Sequence, residues 1–239
     1  MVWKIIVLWV MIDPDKIRSG LSEVNERIHK ALQKAGRPDD KITLVGVTKT
    51  FPPEFLTAAI ECGITEIGES KVQEFEAKKP RVKGKARWHL IGHLQRNKVK
   101  KALPLFDMIQ SVDSYKLAKE ISKRAENKFE ILIQVNSSGE KSKFGLEMDQ
   151  AKEEILRIAE LENIIIMGLM TIGRFVDDET LIRKSFTPVK EMFEDLKKYE
   201  SDKLKMVHLS MGMSSDFELA IEEGANMVRV GSMIFGSRG

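Results

Sequence analysis

From Lys41 onward the chain alternates short, near-continuous apolar runs with segments whose apolar residues recur every three to four positions. The runs lie at about Ile42 to Thr48, Ile64 to Gly68, Arg87 to Gly92, Asp107 to Ser111, Phe129 to Asn136, Ile164 to Thr171, Lys205 to Leu209 and Met227 to Gly231. Each reads as a strand buried on both faces, and the segments between them read as helices. Strands covered on both faces belong to a parallel sheet with helical crossovers. Eight of them predict an α/β fold closed into a (β/α)8 TIM barrel, with an open doubly wound sheet as the alternative. No dinucleotide-type glycine fingerprint, short-period repeat or low-complexity linker supports the open sheet. An additional helix precedes the first strand. Asp13 is its N-cap and Pro14 its first position, Ile17, Leu21, Val24, Ile28 and Leu32 share one face, and Gly36 and Pro38 end it.

A chain of 239 residues with 42% hydrophobic content suits one barrel domain, expected over residues 13–239. Residues 1–12 stand apart as an N-terminal arm or an upstream extension before Met11. Their apolar run is too short to span a membrane and lacks a small-residue cleavage site, so no membrane partner is expected. The single cysteine, Cys62, excludes an internal disulfide and fits a reducing, cytoplasmic location. Lys and Arg exceed Asp and Glu by 39 to 36, a spread-out surplus that points to no nucleic acid partner. The basic stretches Lys78 to Lys85 and Arg96 to Lys101 lack interleaved aromatics and read as solvated faces.

Three features carry chemistry. Lys49 stands at the carboxyl end of the first buried strand, just before Pro52-Pro53 opens a helix. A lysine that is costly to desolvate loses basicity and becomes a nucleophile toward carbonyls, the requirement for a Schiff base; the alternative is an ammonium that reaches out to water. After the seventh strand comes Ser210-Met211-Gly212-Met213-Ser214-Ser215-Asp216, and after the eighth comes Gly231-Ser232. Glycines that let backbone approach an anion, with serine hydroxyls and amides, form a phosphate cup where barrels commonly hold phosphate; the alternative is ordinary capping. Arg229 lies in an otherwise apolar strand, two residues before Gly231, so its side chain is expected to point into the barrel mouth or to be buried in a pair. A guanidinium beside a pyridine nitrogen keeps that nitrogen unprotonated. Together the three describe pyridoxal 5′-phosphate (PLP) on a barrel. His89 and His93 are four apart, but a zinc site needs a third ligand and none is spaced for it, so no metal is expected.

The sequence resembles the pyridoxal phosphate homeostasis proteins, single-domain barrels similar to the N-terminal domain of alanine racemase. The resemblance runs from about Asp13 to Gly239. It rests on Val47-Thr48-Lys49, Gly68-Glu69-Ser70-Lys71-Val72-Gln73-Glu74, Trp88 to Lys98, Val135-Asn136 with Lys143-Phe144-Gly145, Gly168-Leu169-Met170, Leu209 to Asp216 and Val228 to Ser232. It implies that Lys49 carries PLP, that Arg229 faces the pyridine nitrogen and that Ser210, Gly231 and Ser232 hold the phosphate. Met211, Gly212, His89 at the barrel mouth and Asn136 complete the expected cofactor set, with Lys143 at the entrance. Ser70 stands where the family usually has asparagine.

The implied function is a PLP-binding protein that buffers the cofactor and delivers it to apo-enzymes, acts as a monomer and has no catalytic residue. The alternative is a PLP-dependent amino-acid racemase. Racemisation needs a second base, usually a tyrosine from another domain, and Tyr115 and Tyr199 both sit in charged helical stretches away from any strand end.

Overall fold

The structure, a computed structural model, describes residues 13–140 and 143–236. The expected arm, residues 1–12, lies outside the described residues. Eight parallel strands close on one another: β1 (Thr43–Val47), β2 (Glu66–Glu69), β3 (Arg87–Leu90), β4 (Met108–Val112), β5 (Phe129–Asn136), β7 (Ile164–Met170), β8 (Leu204–Ser210) and β9 (Met227–Val230). Each pairs with the next, β4 pairs with β5, and β9 returns to β1 in the register Val45↔Arg229. The (β/α)8 barrel is therefore closed, and the open sheet is ruled out. A two-residue strand, β6 (Leu146–Glu147), hangs on the end of β5 outside this ring. The apolar pattern had not signalled it.

The helices form the outer layer. They are α1 (Pro14–Lys34), α2 (Pro53–Glu61), α3 (Val72–Lys78), α4 (Val99–Ala102), α5 (Tyr115–Arg124), α6 (Met148–Ala159), α7 (Glu179–Leu196), α8 (Phe217–Glu222) and α9 (Ser232–Phe235). In α1 the Asp13 carboxylate accepts the Asp15 and Lys16 amides, and Ile17, Val24, Ile28 and Leu32 are buried as the periodicity predicted. Gly20 of α1 lies so close to α9 that an added Cβ would stand 2.5 Å from the Met233 carbonyl oxygen. No helix among the described residues is long and apolar enough to cross a membrane.

Side-chain alternation along each strand divides the apolar residues into two clusters. The larger lies between the sheet and the helices and includes Trp88, Leu90, Ile109, Ile131, Ile133, Val228 and Val230. The smaller, Val45, Met108, Leu132, Met170 and Met227, fills the barrel axis. The axial positions of the same strands also hold His89, Gln110, Ser210 and Arg229, all buried. Polar groups without water must pair with one another, and their pairing shapes the site above them.

Candidate functional site

At the carboxyl ends of the strands lies a cavity of about 530 Å³. Lys49 and Val47 line it from the end of β1, Arg229, Gly231 and Ser232 from the end of β9, and Met213, Ser214 and Ser215 from the loop after β8. A neighbouring cavity of about 560 Å³, which Arg174, Phe175, Asp216 and Glu222 help to line, contains no strand-end lysine and no Arg229. The chemistry of the lining, not the volume, selects the first.

Lys49 is held on a sharp turn. The Thr48 amide still donates to the Gly68 carbonyl at 3.1 Å, extending the β1–β2 ladder, and the Phe51 amide turns back to the Thr48 carbonyl at 3.1 Å. Between them Thr50 has φ +71°, the only non-glycine residue at positive φ among the described residues. A β-branched residue there carries strain of about 1–2 kcal/mol. Pro52 and Pro53 then start α2, as the sequence indicated.

Arg229 is 4% exposed and points into the barrel. Its Nη1 donates to Ser210 Oγ at 2.6 Å and its Nη2 to the Thr171 carbonyl at 2.8 Å. A chain of bonds continues downward. Ser210 Oγ donates to Gln110 Oε1 at 2.8 Å, Gln110 Nε2 lies 3.0 Å from His89 Nδ1, and His89 Nε2 lies 2.5 Å from Glu66 Oε2. Since arginine only donates, the directions follow along the chain: the Gln110 amide donates to His89 Nδ1, and His89 Nε2 donates to Glu66. Burial draws the Arg229 guanidinium down to about 10, against a smaller opposing pull from Asp216. It stays charged at neutral pH. Burial pushes the Asp216 carboxyl up, opposed first by the Met213 amide, which donates to Oδ1 at 2.6 Å.

The loop after β8 and the start of α9 form a cradle. The Gly231 amide donates to Ser214 Oγ at 3.1 Å, and a Cβ on Gly231 would stand 2.9 Å from the Val47 carbonyl oxygen. The two strand ends therefore meet closely beside Lys49. Gly212, at φ +88°, turns the chain so that its carbonyl accepts the Arg229 amide at 3.0 Å. An added Cβ there would lie 2.7 Å from Phe217 Cα.

Lys49, Arg229, Gly231 and Ser232 thus share the cavity, and five other expected residues do not line it. Ser210 is one layer deeper, with its hydroxyl committed to Arg229 and Gln110. Met211 is fully buried in the outer core, and Gly212 serves the turn. His89 is not at the mouth, because β3 directs it into the axis. Asn136 closes the loop after β5, donating to the Glu140 carbonyl at 3.1 Å and accepting from Ser138 Oγ at 3.0 Å. Lys143 spans loops instead of lining the cavity, reaching Glu140 at 2.9 Å and the Gly173 carbonyl at 3.1 Å. Lys78 is no solvated basic residue: it is 7% exposed and pairs with Glu69 and Glu74.

Other lining residues come from segments that had been noted only as motifs. Ser70 lines the cavity from the loop after β2, and His93 does so from the loop after β3. The His93 ring stacks on Phe144 with centroids 3.8 Å apart and bonds Asp113 Oδ2 at 2.9 Å. Tyr115, under the Arg157 guanidinium, and Tyr199, under the Lys152 ammonium, lie outside the cavity.

Residues 21–239 match the family model described as "Alanine racemase, N-terminal domain". The chain is 42% identical over 222 residues to the pyridoxal phosphate homeostasis protein of Aquifex aeolicus (strain VF5), covering 91% of this chain and 96% of that one. Among solved structures, an unknown protein from Bifidobacterium adolescentis is similar at TM-score 0.86 and 38% identity, with 93% of this chain and 97% of that chain covered. PipY of Synechococcus elongatus PCC7942, solved with PLP bound, is similar at TM-score 0.80 and 29% identity, with 92% and 100% covered. The chain, with a closed barrel and a strand-end lysine that lines one cavity with a buried arginine, belongs to the pyridoxal phosphate homeostasis protein family, within the wider group that shares the alanine racemase N-terminal domain.

Proposed function

We propose that residues 13–239 form one PLP-binding domain that holds the cofactor on Lys49, stores it and passes it to apo-enzymes. The observation that carries this reading is the convergence of Lys49, Arg229, Ser214, Gly231 and Ser232 on one cavity of about 530 Å³. That donor set fits the group: an amine for its aldehyde, a cation for its ring nitrogen, and hydroxyls with a close-approaching glycine for its phosphate. Bound PLP would supply an aldehyde, and Lys49 would hold it by its amine, reversibly and with water as the leaving group.

The chain's own residues account for storage without turnover. Arg229, fixed by Ser210 and the Thr171 carbonyl, presents a charged group that has no proton to give at neutral pH, so a facing ring nitrogen stays unprotonated. The ring is then a weak electron sink. Neither Tyr115 nor Tyr199 lines the cavity, which leaves no tyrosine there to act as the second base of a racemase. On this reading the carrier acts as a cytoplasmic monomer. The PLP named in the solved PipY structure supports the same cofactor here.

Titrating purified protein with PLP and then mixing the loaded protein with PLP-dependent apo-enzymes tests this. The expected result is uptake of one PLP with a visible absorption band, gain of activity by the apo-enzymes, and little change in the optical rotation of added L- or D-alanine over many hours. Robust racemisation abolished by Lys49→Ala supports the racemase instead, and a colourless protein that takes up no PLP overturns the cofactor.

A further inference from the structure

The two residues flanking Lys49 are gripped by one ion cluster that runs from the buried Glu69 and Lys78 out to the partly buried Glu74. Glu69, at the end of β2 and fully buried, accepts a bond from Thr48 Oγ1 at 2.8 Å. Glu74, in the first turn of α3, accepts the backbone N–H of Thr50 at 2.7 Å. Lys78, the last residue of α3, joins them. Its Nζ lies 3.2 Å from Glu69 Oε1, 2.5 Å from Glu74 Oε1 and 3.4 Å from the Thr48 carbonyl oxygen. The i,i+4 spacing puts Glu74 and Lys78 on one face of α3, the face turned to the end of β1.

A buried ion pair is weak evidence for stability, because desolvation offsets much of its attraction. What sets this cluster apart is where its remaining bonds go: to Thr48 and Thr50, on either side of Lys49. Thr50 is also the strained residue, and positive φ persists in a threonine only where the surroundings over-determine it. Two carboxylates share one ammonium, so the cluster keeps an acceptor oxygen for each threonine. Burial pushes the Glu69 carboxyl up against the pull of Lys78. Burial acts the same way on Glu74, but bonds from Lys78 and the Thr50 amide outweigh it and bring that carboxyl below its ordinary range.

We propose that Glu69, Glu74 and Lys78 are positioning residues, which lock the Thr48–Thr50 turn and so aim the Lys49 amine into the cavity. The proposal rests on Lys49 being the PLP-bearing lysine, and it also accounts for the Gly68 to Glu74 motif, only Ser70 of which lines the cavity.

Two readouts on Glu74→Ala test it: hydrogen exchange of the Thr50 amide in protein without PLP, and the rate at which borohydride fixes PLP to Lys49. The Thr50 amide is expected to exchange about tenfold faster or more, and the fixing rate to fall about tenfold. Glu76→Ala, which removes an exposed carboxylate from the same helix, changes neither. Glu74→Gln keeps an acceptor for Thr50 and stays within about threefold of wild type in both. Adding Thr50→Gly, which adopts positive φ freely, to Glu74→Ala restores fixing to within about threefold, a rescue that loss of general stability would not allow. Thr48→Val, nearly isosteric, removes only the Thr48 hydroxyl's bond to Glu69 and serves if Glu74→Ala does not fold. It is expected to slow fixing about threefold or more, and an unchanged rate overturns the proposal. Unchanged Thr50 exchange in Glu74→Ala overturns it as well. If the wild-type protein fixes no PLP, the cofactor reading fails, and the exchange result still decides whether the cluster holds the turn.

Discussion

Replacing Arg229 with methionine should leave the fold nearly as stable as before while weakening PLP binding. The magnitude follows from two opposed effects. Burial lowers the guanidinium from its ordinary range to about 10, so keeping the charge inside the barrel costs the folded state about 3 kcal/mol. Against this stand two charged hydrogen bonds, to Ser210 Oγ and to the Thr171 carbonyl, each contributing roughly 1.5–3 kcal/mol. Ser210 would keep its bond to Gln110, and Asp216 would keep the Met213 amide that donates to it at 2.6 Å. A methionine fills similar space beside Met227 without needing partners. The terms cancel to within about 3 kcal/mol, which in a chain of this length shifts Tm by no more than about 12 °C. Scanning calorimetry of the PLP-free variant at pH 7 measures this, and titration with PLP measures the binding. A fall in Tm of about 15 °C or more, with PLP affinity unchanged, would refute the reasoning and make Arg229 a structural residue.

Three further outcomes follow from the geometry. Gln110→Leu strands the Ser210 hydroxyl and His89 Nδ1 inside the barrel; a stability loss of about 2–4 kcal/mol is expected in denaturant unfolding, and a loss below about 0.5 kcal/mol would show that the chain of bonds is not formed. Gly231→Ala places a methyl 2.9 Å from the Val47 carbonyl oxygen, so strand β9 and the cradle must shift; PLP affinity should drop about tenfold in an equilibrium titration while the far-UV circular dichroism is retained. His208 is held down to about 4 by burial, with added repulsion from Arg87. Above its unfolded value of 6.5 both states are neutral there and it has no effect, whereas between 6.5 and about 4 the unfolded chain takes up a proton that the folded chain refuses. Stability should therefore fall as pH drops through that window, by at most roughly 3 kcal/mol, and His208→Asn should flatten the slope; an unaltered slope would refute it.

The barrel was legible in the sequence because strands buried on both faces read as continuous apolar runs, and all eight appear within a few residues of the expected bounds. Lys49 and Arg229 were legible for the complementary reason: a cation in an apolar strand must have a use. Residues one layer away were harder to read. Ser210 and Ser214 belong to the same serine-rich segment, yet Ser210 ends β8 and strand alternation turns it inward, whereas Ser214 lies beyond the turn at Gly212 and reaches the cradle. His89 and His93 lie in one motif, yet strand alternation sends His89 to the axis, and the loop beyond β3 carries His93 to the mouth. Lys78 begins a run of basic residues, and what buries it is Glu69, nine positions earlier and on a different element. Partners that meet through the fold leave no local pattern.

The most direct test of the cofactor lysine is peptide mapping of the borohydride-reduced protein after incubation with PLP. The bond from Lys49 to the cofactor should appear as one pyridoxyl-phosphate adduct on the peptide that contains Lys49, at close to one per chain, and Lys49→Ala should lose it without a change in fold. An adduct carried at the same level by another lysine in both proteins would contradict the assignment of Lys49.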